Sequence, residues 1–145
     1  MQTEQCFSGL MQSARAILYH KQSTSAMTRF FRLQDAGVCI GGAYASGGTP
    51  ASPGVIAHPG AVAAEVERWL GLQSGGLSVE AQYQECVDVD GADVPVYLLR
   101  FTSIDPPFGA AEAVGGSFIT LTQARGLDAS ELELLRAAYT MIMEG

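Results

Sequence analysis

A regular alternation of side chains between residues 79 and 89 constrains the fold more than any other part of this sequence. Odd positions are mainly apolar, whereas even positions carry Glu, Gln, Cys and Asp. This period of two is typical of a β-strand with one buried face. A turn-forming sequence at residues 90–93 and a second apolar run at 94–104 follow directly. The pattern therefore predicts an antiparallel hairpin, and with it a chain built around a sheet.

The register of this hairpin predicts an ion pair. If Val89 faces Val94, then Glu85 lies diagonally opposite Arg100 on the mainly apolar face of the two strands. A buried charge without a partner costs several kcal/mol. We therefore expect Glu85 and Arg100 to form a structural ion pair.

The other face of the hairpin predicts an interface. Tyr97, Leu99 and Phe101 alternate along the second strand and face the polar side of the first strand. An aromatic strand beside a polar one implies cover by the C-terminal helix or by a second subunit. The expectation is a homodimer with these three residues at its interface.

The remaining elements complete an α+β domain that spans residues 1–145. Apolar spacing and turn signals predict further elements, namely helices over 3–21, 61–70 and 129–144, a first hairpin from 29–33 and 38–40, and a strand at 117–122. The resulting order is α-β-β-α-β-β-β-α. It resembles the element order of small domains of the profilin or roadblock kind, which implies a mainly antiparallel sheet flanked by helices.

A glycine-rich segment at about 41–60 is the first candidate for function. It joins a strand end to a helix start and is rich in Gly, Ala, Ser and Pro. Its glycine spacing approaches that of a phosphate-binding loop, but Gly48 stands where the lysine belongs. Two interpretations remain, a flexible loop or a nest of backbone amides that binds an anion or small polar ligand. The candidate ligand-binding residues are Gly41, Gly42, Ser46, Gly47 and Gly48.

The only catalytic candidates are Cys39, just before this segment, and His58, near its end. A thiolate at Cys39 is activated if the segment folds back to bring His58 close, whereas the alternative is an inert buried cysteine. His20 and His58 are the only histidines, and neither has a second ligand at metal-binding spacing. The sequence therefore predicts no metal site and no cofactor.

Charge and targeting signals restrict partners and compartment. Eight basic against fifteen acidic residues give a net charge of −7, which disfavours nucleic acid and an anionic membrane surface as partners. Three widely spaced cysteines form no disulfide framework. The N-terminal sequence has neither a basic region nor an apolar one, and no transmembrane run follows. We therefore expect a cytoplasmic protein.

Two functions remain open on these grounds. The main prediction is a small non-catalytic protein that homodimerises and binds a protein partner or small ligand. The alternative is a small enzyme or ligand-binding domain that uses the glycine-rich segment with Cys39 and His58. Low charge and the mixed hairpin face favour the first, whereas the position of the segment between strand and helix favours the second.

Overall fold

The computed structural model describes residues 14–23, 27–34, 37–41, 59–89 and 91–144. They form a 3-10 helix at Thr122–Gly126, three α-helices and seven strands. The helices are α1 (Pro59–Leu70), α2 (Phe108–Ala113) and α3 (Ala129–Glu144). The strands are β1 (Arg15–Lys21), β2 (Thr28–Leu33), β3 (Ile40–Gly41), β4 (Leu77–Val79), β5 (Glu85–Val89), β6 (Ala92–Phe101) and β7 (Gly116–Ile119).

The strands form one mixed sheet. Its order is β4-β6-β1-β2-β7, with β5 added to β6 and β3 added to β1. The two central strands, β1 and β6, run parallel, and the other five pairings are antiparallel. The predicted α+β class with a mainly antiparallel sheet is confirmed, whereas the predicted order of elements is not.

Helices cover both faces of the sheet and create two cores. On one face, Val62, Val66 and Leu70 of α1 pack with Leu18 and Leu99. The opposite core is built on α3, and its buried members include Ile17, Phe30, Leu98, Leu134, Leu135, Ala138 and Ile142. Alternate residues of β1 and β6 thus face α1 and α3 in turn.

The predicted helix over residues 3–21 is wrong where the structure describes the chain, because residues 15–21 form β1. Residues 16–20 are all buried. A central strand that is covered on both faces loses the polar positions that mark a period of two. Its apolar run therefore fits helical spacing equally well. The part of this prediction before Ala14 lies outside the described residues.

The predicted long strand at 79–89 is interrupted. β4 and β5 both pair with β6, but residues 80–84 leave the ladder between them. Tyr83 anchors this excursion, since its buried hydroxyl donates to the Leu134 carbonyl of α3 at 3.0 Å. Val89 lies opposite Ala92 instead of Val94, so the register is shifted by two residues from the predicted one.

The first predicted hairpin is only partly present. Leu33 and Gly37 exchange backbone hydrogen bonds of 2.8 and 3.0 Å around the turn. The strand that follows, β3, pairs with β1 and not with β2. The Glu131 carboxylate of α3 accepts a hydrogen bond from the Val38 amide at 3.2 Å, which ties this segment to the helix.

The remaining helices are close to the predicted ones. α3 has the predicted bounds, and α1 begins at Pro59, two residues before the predicted start. Glu67 joins α1 to the sheet, because its buried carboxylate accepts the amides of Gly75 and Leu77 at 3.2 and 3.0 Å. None of the helices in the described ranges is long and apolar enough to cross a membrane.

Candidate functional site

A pocket of about 300 Å³ opens on the α3 face of the sheet. Its lining combines two cationic side chains, one carboxylate, three neutral polar groups and two apolar side chains, namely Lys21, Arg100, Glu80, Tyr19, Ser78, Gln82, Met141 and Ile142. We call it the α3-face pocket.

Strand register places the floor of the pocket. Tyr19 of β1 lies beside Arg100 of β6, and Ser78 of β4 lies on the other side of Arg100. Neighbouring residues on adjacent strands point to the same face of a sheet. These three side chains therefore form a row across three strands, with Lys21 at the end of β1 beyond them.

The excursion at residues 80–84 completes the wall of the pocket. The Glu80 amide still donates to the Leu98 carbonyl at 2.9 Å, so Glu80 keeps its position beside β6. Gln82 then lies outside the ladder and extends the polar lining. The register of β4 thus places Glu80 close to Arg100, and the excursion adds Gln82 to the same lining.

The charged side chains of the pocket have a net positive charge, whereas the chain as a whole is negative. Lys21, the only lysine in the sequence, is exposed. Among the residues with defined placement, no hydrogen bond or ion pair engages its ammonium group. The Arg100 Nε atom lies 4.0 Å from Glu80 Oε2, in a half-exposed pair that contributes little attraction. Two cations against one carboxylate give local positive charge in a chain of −7.

Tyr19 holds the Glu80 carboxylate. Its hydroxyl donates a hydrogen bond to Glu80 Oε2. Burial raises the pKa of the Tyr19 hydroxyl above its ordinary value, and the hydrogen bond and charge of Glu80 raise it further. Tyr19 is therefore a proton donor throughout the physiological pH range, and Glu80 stays oriented beside Arg100.

A second groove of about 470 Å³ lies between β5 and α3. Its charged lining is Glu85, Asp88, Glu133 and Arg136, which leaves a negative excess. Exposed acidic groups at a sheet edge keep anionic ligands away. The α3-face pocket is therefore the better candidate for a ligand that carries negative charge.

Cys39 is not an activated nucleophile in the structure. Burial raises the pKa of the thiol to about 12, with a further increase from the Glu131 carboxylate and an opposing effect from Arg15. A thiol with this pKa has almost no thiolate at neutral pH. The catalytic role predicted for Cys39 is therefore unsupported, while His58 lies outside the described residues.

The predicted ligand-binding loop cannot be placed from the described residues. Gly41 belongs to β3, where it pairs with Arg15. Gly42, Ser46, Gly47 and Gly48 lie outside the described residues. Their assignment as ligand contacts stays a prediction.

The predicted interface face is covered within the chain. Leu99 and Phe101 are fully buried in the core beneath α1, and Tyr97 is partly buried against the same core. The sequence predicts cover by the C-terminal helix or by a second subunit, but α1 covers this face in the structure, because this face of β6 turns away from α3. The homodimer stays a prediction, but these residues no longer supply its interface.

The predicted ion pair between Glu85 and Arg100 is wrong. Glu85 lies opposite Val96 and is exposed at the sheet edge, whereas Arg100 faces Ser78 and approaches Glu80. The cause is the excursion at residues 80–84, which shifts β5 along β6. Glu80 therefore takes the position near Arg100 that the predicted, uninterrupted strand assigns to Glu85.

In the described part of the chain, no group of three or more His, Cys, Asp or Glu side chains is close enough to hold a metal ion. The α3-face pocket contributes a single carboxylate. What the pocket residues offer is therefore anion binding by Lys21 and Arg100, hydrogen bonding by Tyr19 and Glu80, and an apolar wall.

Sequence reasoning missed the pocket residues because it placed Tyr19 and Lys21 on a helix. Two signals were nevertheless present. Lys21 is the only lysine of a chain that otherwise uses arginine, and Arg100 interrupts the apolar β6 run. The third partner, Glu80, is found only when the strand interruption is known.

No protein-family model matches the chain, and no curated protein matches it. Solved structures do match. A C. elegans Ap4A hydrolase has a TM-score of 0.54 at 17% identity, over 89% of this chain and 96% of the other. A C. elegans Ap4A hydrolase binary complex has a TM-score of 0.57 at 15% identity, over 91% and 98%. At this identity the likeness concerns the fold.

These matches contradict the main functional prediction. Both solved chains are hydrolases and share the fold along almost their full length. A non-catalytic module defined by protein binding is therefore the wrong interpretation of the sequence. The alternative of a small enzyme or ligand-binding domain agrees better with the comparison.

Proposed function

We propose that this protein is a hydrolase that acts on a nucleotide, and that the α3-face pocket binds the phosphate-bearing part of that nucleotide. The observation that carries the proposal is the excess of positive charge in this pocket. Lys21 and Arg100 outweigh Glu80 there, although the chain as a whole is acidic. A cleft of one sign concentrates ligands of the opposite sign.

The pocket suits both parts of a nucleotide. The Lys21 ammonium is a compact charge on a flexible stem, and the Arg100 guanidinium offers several planar donors to phosphate oxygens. Met141 and Ile142 of α3 form the apolar side of the same cavity, which accommodates a base. Ligand sites commonly combine an apolar wall with a few placed polar groups.

The fold supports the hydrolytic part of the proposal. The matching solved chains are Ap4A hydrolases, and the matches cover about nine-tenths of this chain. A shared fold does not define a substrate. The nucleotide class therefore rests on the pocket charges and the comparison together.

Turnover of nucleotides by the purified full chain tests the proposal. The protein is incubated with Ap4A, ATP and ADP in the presence of Mg²⁺, which nucleotide phosphates bind in solution, and the products are separated by anion-exchange chromatography. We expect hydrolysis of at least one of the three. Absence of product from all three at high enzyme concentration overturns the proposal.

A matched pair of variants locates the site. Lys21→Ala removes the pocket cation that has no partner among the described residues, and we expect KM to rise about tenfold, as for loss of one charged contact. Arg136→Ala removes an exposed cation of the other groove and should leave KM unchanged. Equal effects of the two substitutions would place phosphate binding elsewhere.

A further inference from the structure

The two oxygens of the Glu80 carboxylate have different surroundings. The Tyr19 hydroxyl donates to Oε2, and the Arg100 Nε atom approaches the same oxygen at 4.0 Å. Within the described ranges, no hydrogen bond reaches Oε1. The Glu80 side chain is 29% exposed and lines the α3-face pocket, so Oε1 is accessible to a ligand.

A free carboxylate oxygen in a phosphate pocket is selective. It accepts hydrogen bonds and donates none, so it repels phosphate oxygens and attracts hydroxyl or amino groups. Because Tyr19 occupies Oε2, only Oε1 is offered. The best ligand therefore has a hydroxyl donor close to its phosphate groups.

We propose that Glu80 binds the sugar hydroxyls of the nucleotide through Oε1 and thereby selects ribonucleotides over nucleotides that lack these hydroxyls. This inference rests on the proposed function and names the substrate class of the same pocket. In this arrangement Lys21 and Arg100 bind phosphate, Met141 and Ile142 contact the base, and Glu80 accepts hydrogen bonds from the sugar hydroxyls. Acidic side chains accept ribose hydroxyls in the same way in other nucleotide sites.

Binding of three probes to the full chain separates these contacts. The probes are ATP, 2′,3′-dideoxyATP and inorganic triphosphate, measured by isothermal titration calorimetry with Mg²⁺. Triphosphate reports the phosphate contacts alone, and the ratio of the two nucleotides reports the sugar contact. We expect ATP to bind at least tenfold more tightly than the dideoxy form, as for a hydrogen bond to a charged group.

Two substitutions at Glu80 distinguish charge from hydrogen bonding. In Glu80→Gln the amide oxygen accepts the Tyr19 hydroxyl, so the NH₂ group faces the pocket. The nucleotide ratio should then fall severalfold, because a sugar hydroxyl that accepts from a neutral NH₂ group is bound less tightly than one that donates to a carboxylate. Triphosphate should bind severalfold more tightly because a like charge is lost. Glu80→Asp keeps the charge but withdraws it by one methylene, so the ratio should fall while triphosphate binding is unchanged.

Glu85→Gln is the matched control, because it removes the same charge from an exposed position on β5. Its ratio and triphosphate affinity should equal those of the wild type, and thermal unfolding shows whether each variant is folded. The inference is overturned if wild-type protein binds both nucleotides equally, or if Glu80→Gln keeps the wild-type ratio. In both cases triphosphate binding persists and the proposed pocket stands. Failure of all three probes to bind overturns the proposed function as well.

Discussion

The Tyr19 hydroxyl determines the orientation of the Glu80 carboxylate. It is the only hydrogen-bond donor to Glu80 among the described residues, and burial keeps it protonated by raising its pKa. A fixed carboxylate presents the same oxygen to every ligand, which is a requirement for selectivity. Tyr19 contacts no ligand in our proposal, but it is needed to orient Glu80, which does.

Tyr19→Phe tests this hydrogen bond. We expect the free energy of unfolding to fall by about 1 kcal/mol, a modest loss because Glu80 is partly exposed and regains water. Urea denaturation measures the change. Tyr139→Phe is the control, since no hydrogen bond of the Tyr139 hydroxyl is present in the described part of the chain, and it should change stability by a few tenths of a kcal/mol. Equal losses in the two variants would contradict the assignment.

Cys39 and Cys86 should differ in reactivity. Cys86 is exposed, whereas burial raises the pKa of Cys39 to about 12. At pH 8 the thiolate fraction of Cys39 is then on the order of 10⁻⁴. We expect iodoacetamide to label Cys86 and spare Cys39 in the native protein, as read from individual peptides by mass spectrometry. In 8 M urea both should react at similar rates. Rapid native labelling of Cys39 would restore it as a nucleophile.

The same shift has a consequence for stability at alkaline pH. Folding raises the Cys39 pKa above its ordinary 9.0, so the folded state holds the proton more tightly. The contribution is complete below about pH 9 and is lost as the pH rises toward 12. Between pH 9 and 11 the wild type should therefore lose more stability than Cys39→Ser, as urea denaturation at each pH measures.

Elements with one exposed face were predictable from the sequence, and the others were not. α3 keeps a polar side toward solvent, and its predicted bounds agree with the structure. β1 is buried on both faces, so its apolar run fits helical spacing as well as a strand. The interruption between β4 and β5 depends on Tyr83 reaching α3, a tertiary contact that local alternation does not reveal. The α3-face pocket depends on these two features, so it was not predictable either.

Gly37 joins the β2 turn to α3, and substitution there should be unusually costly. Its φ of +85° disfavours any side chain, and an added Cβ would overlap the Glu131 carboxylate that accepts the Val38 amide. Gly115 has a φ of +79° with nothing within 4 Å of its Cβ position. Gly115→Ala should cost about 1 kcal/mol, and Gly37→Ala at least about 1 kcal/mol more. Equal losses of unfolding free energy in the two variants, measured by urea denaturation, would show that the Glu131 side chain moves aside without cost.

Because the two cores share one sheet, we expect them to unfold as a single cooperative unit. Leu18 and Ile17 are neighbours in β1, yet one packs with α1 and the other with α3. Loss of either helix layer exposes a face of the same strands. Trp69 of α1, the only tryptophan, contacts the Phe31 ring edge-on, with 6.2 Å between the ring centroids. Its fluorescence therefore reports on the helix layer opposite α3.

Leu135→Ala tests this cooperativity. Leu135 is fully buried on α3, so the substitution should cost about 2–5 kcal/mol. Although the change lies on the α3 side, the Trp69 fluorescence midpoint should shift together with the far-UV circular dichroism midpoint. Met143→Ala, at an exposed position of the same helix, should shift neither by more than about 0.5 kcal/mol. Separate midpoints would mean that the layers unfold independently.

The parallel pairing of β1 with β6 has a consequence for synthesis on the ribosome. β1 precedes every other described strand in the chain, yet its parallel neighbour follows only after the whole stretch from Gln22 to Gly91. Translation at roughly 5–20 residues per second needs several seconds to complete that stretch. During this time the apolar edge of β1 that pairs with β6 in the folded protein has no partner. Such a long-range closure slows folding. Incorrect association is therefore a greater risk for the nascent chain than for the folded protein.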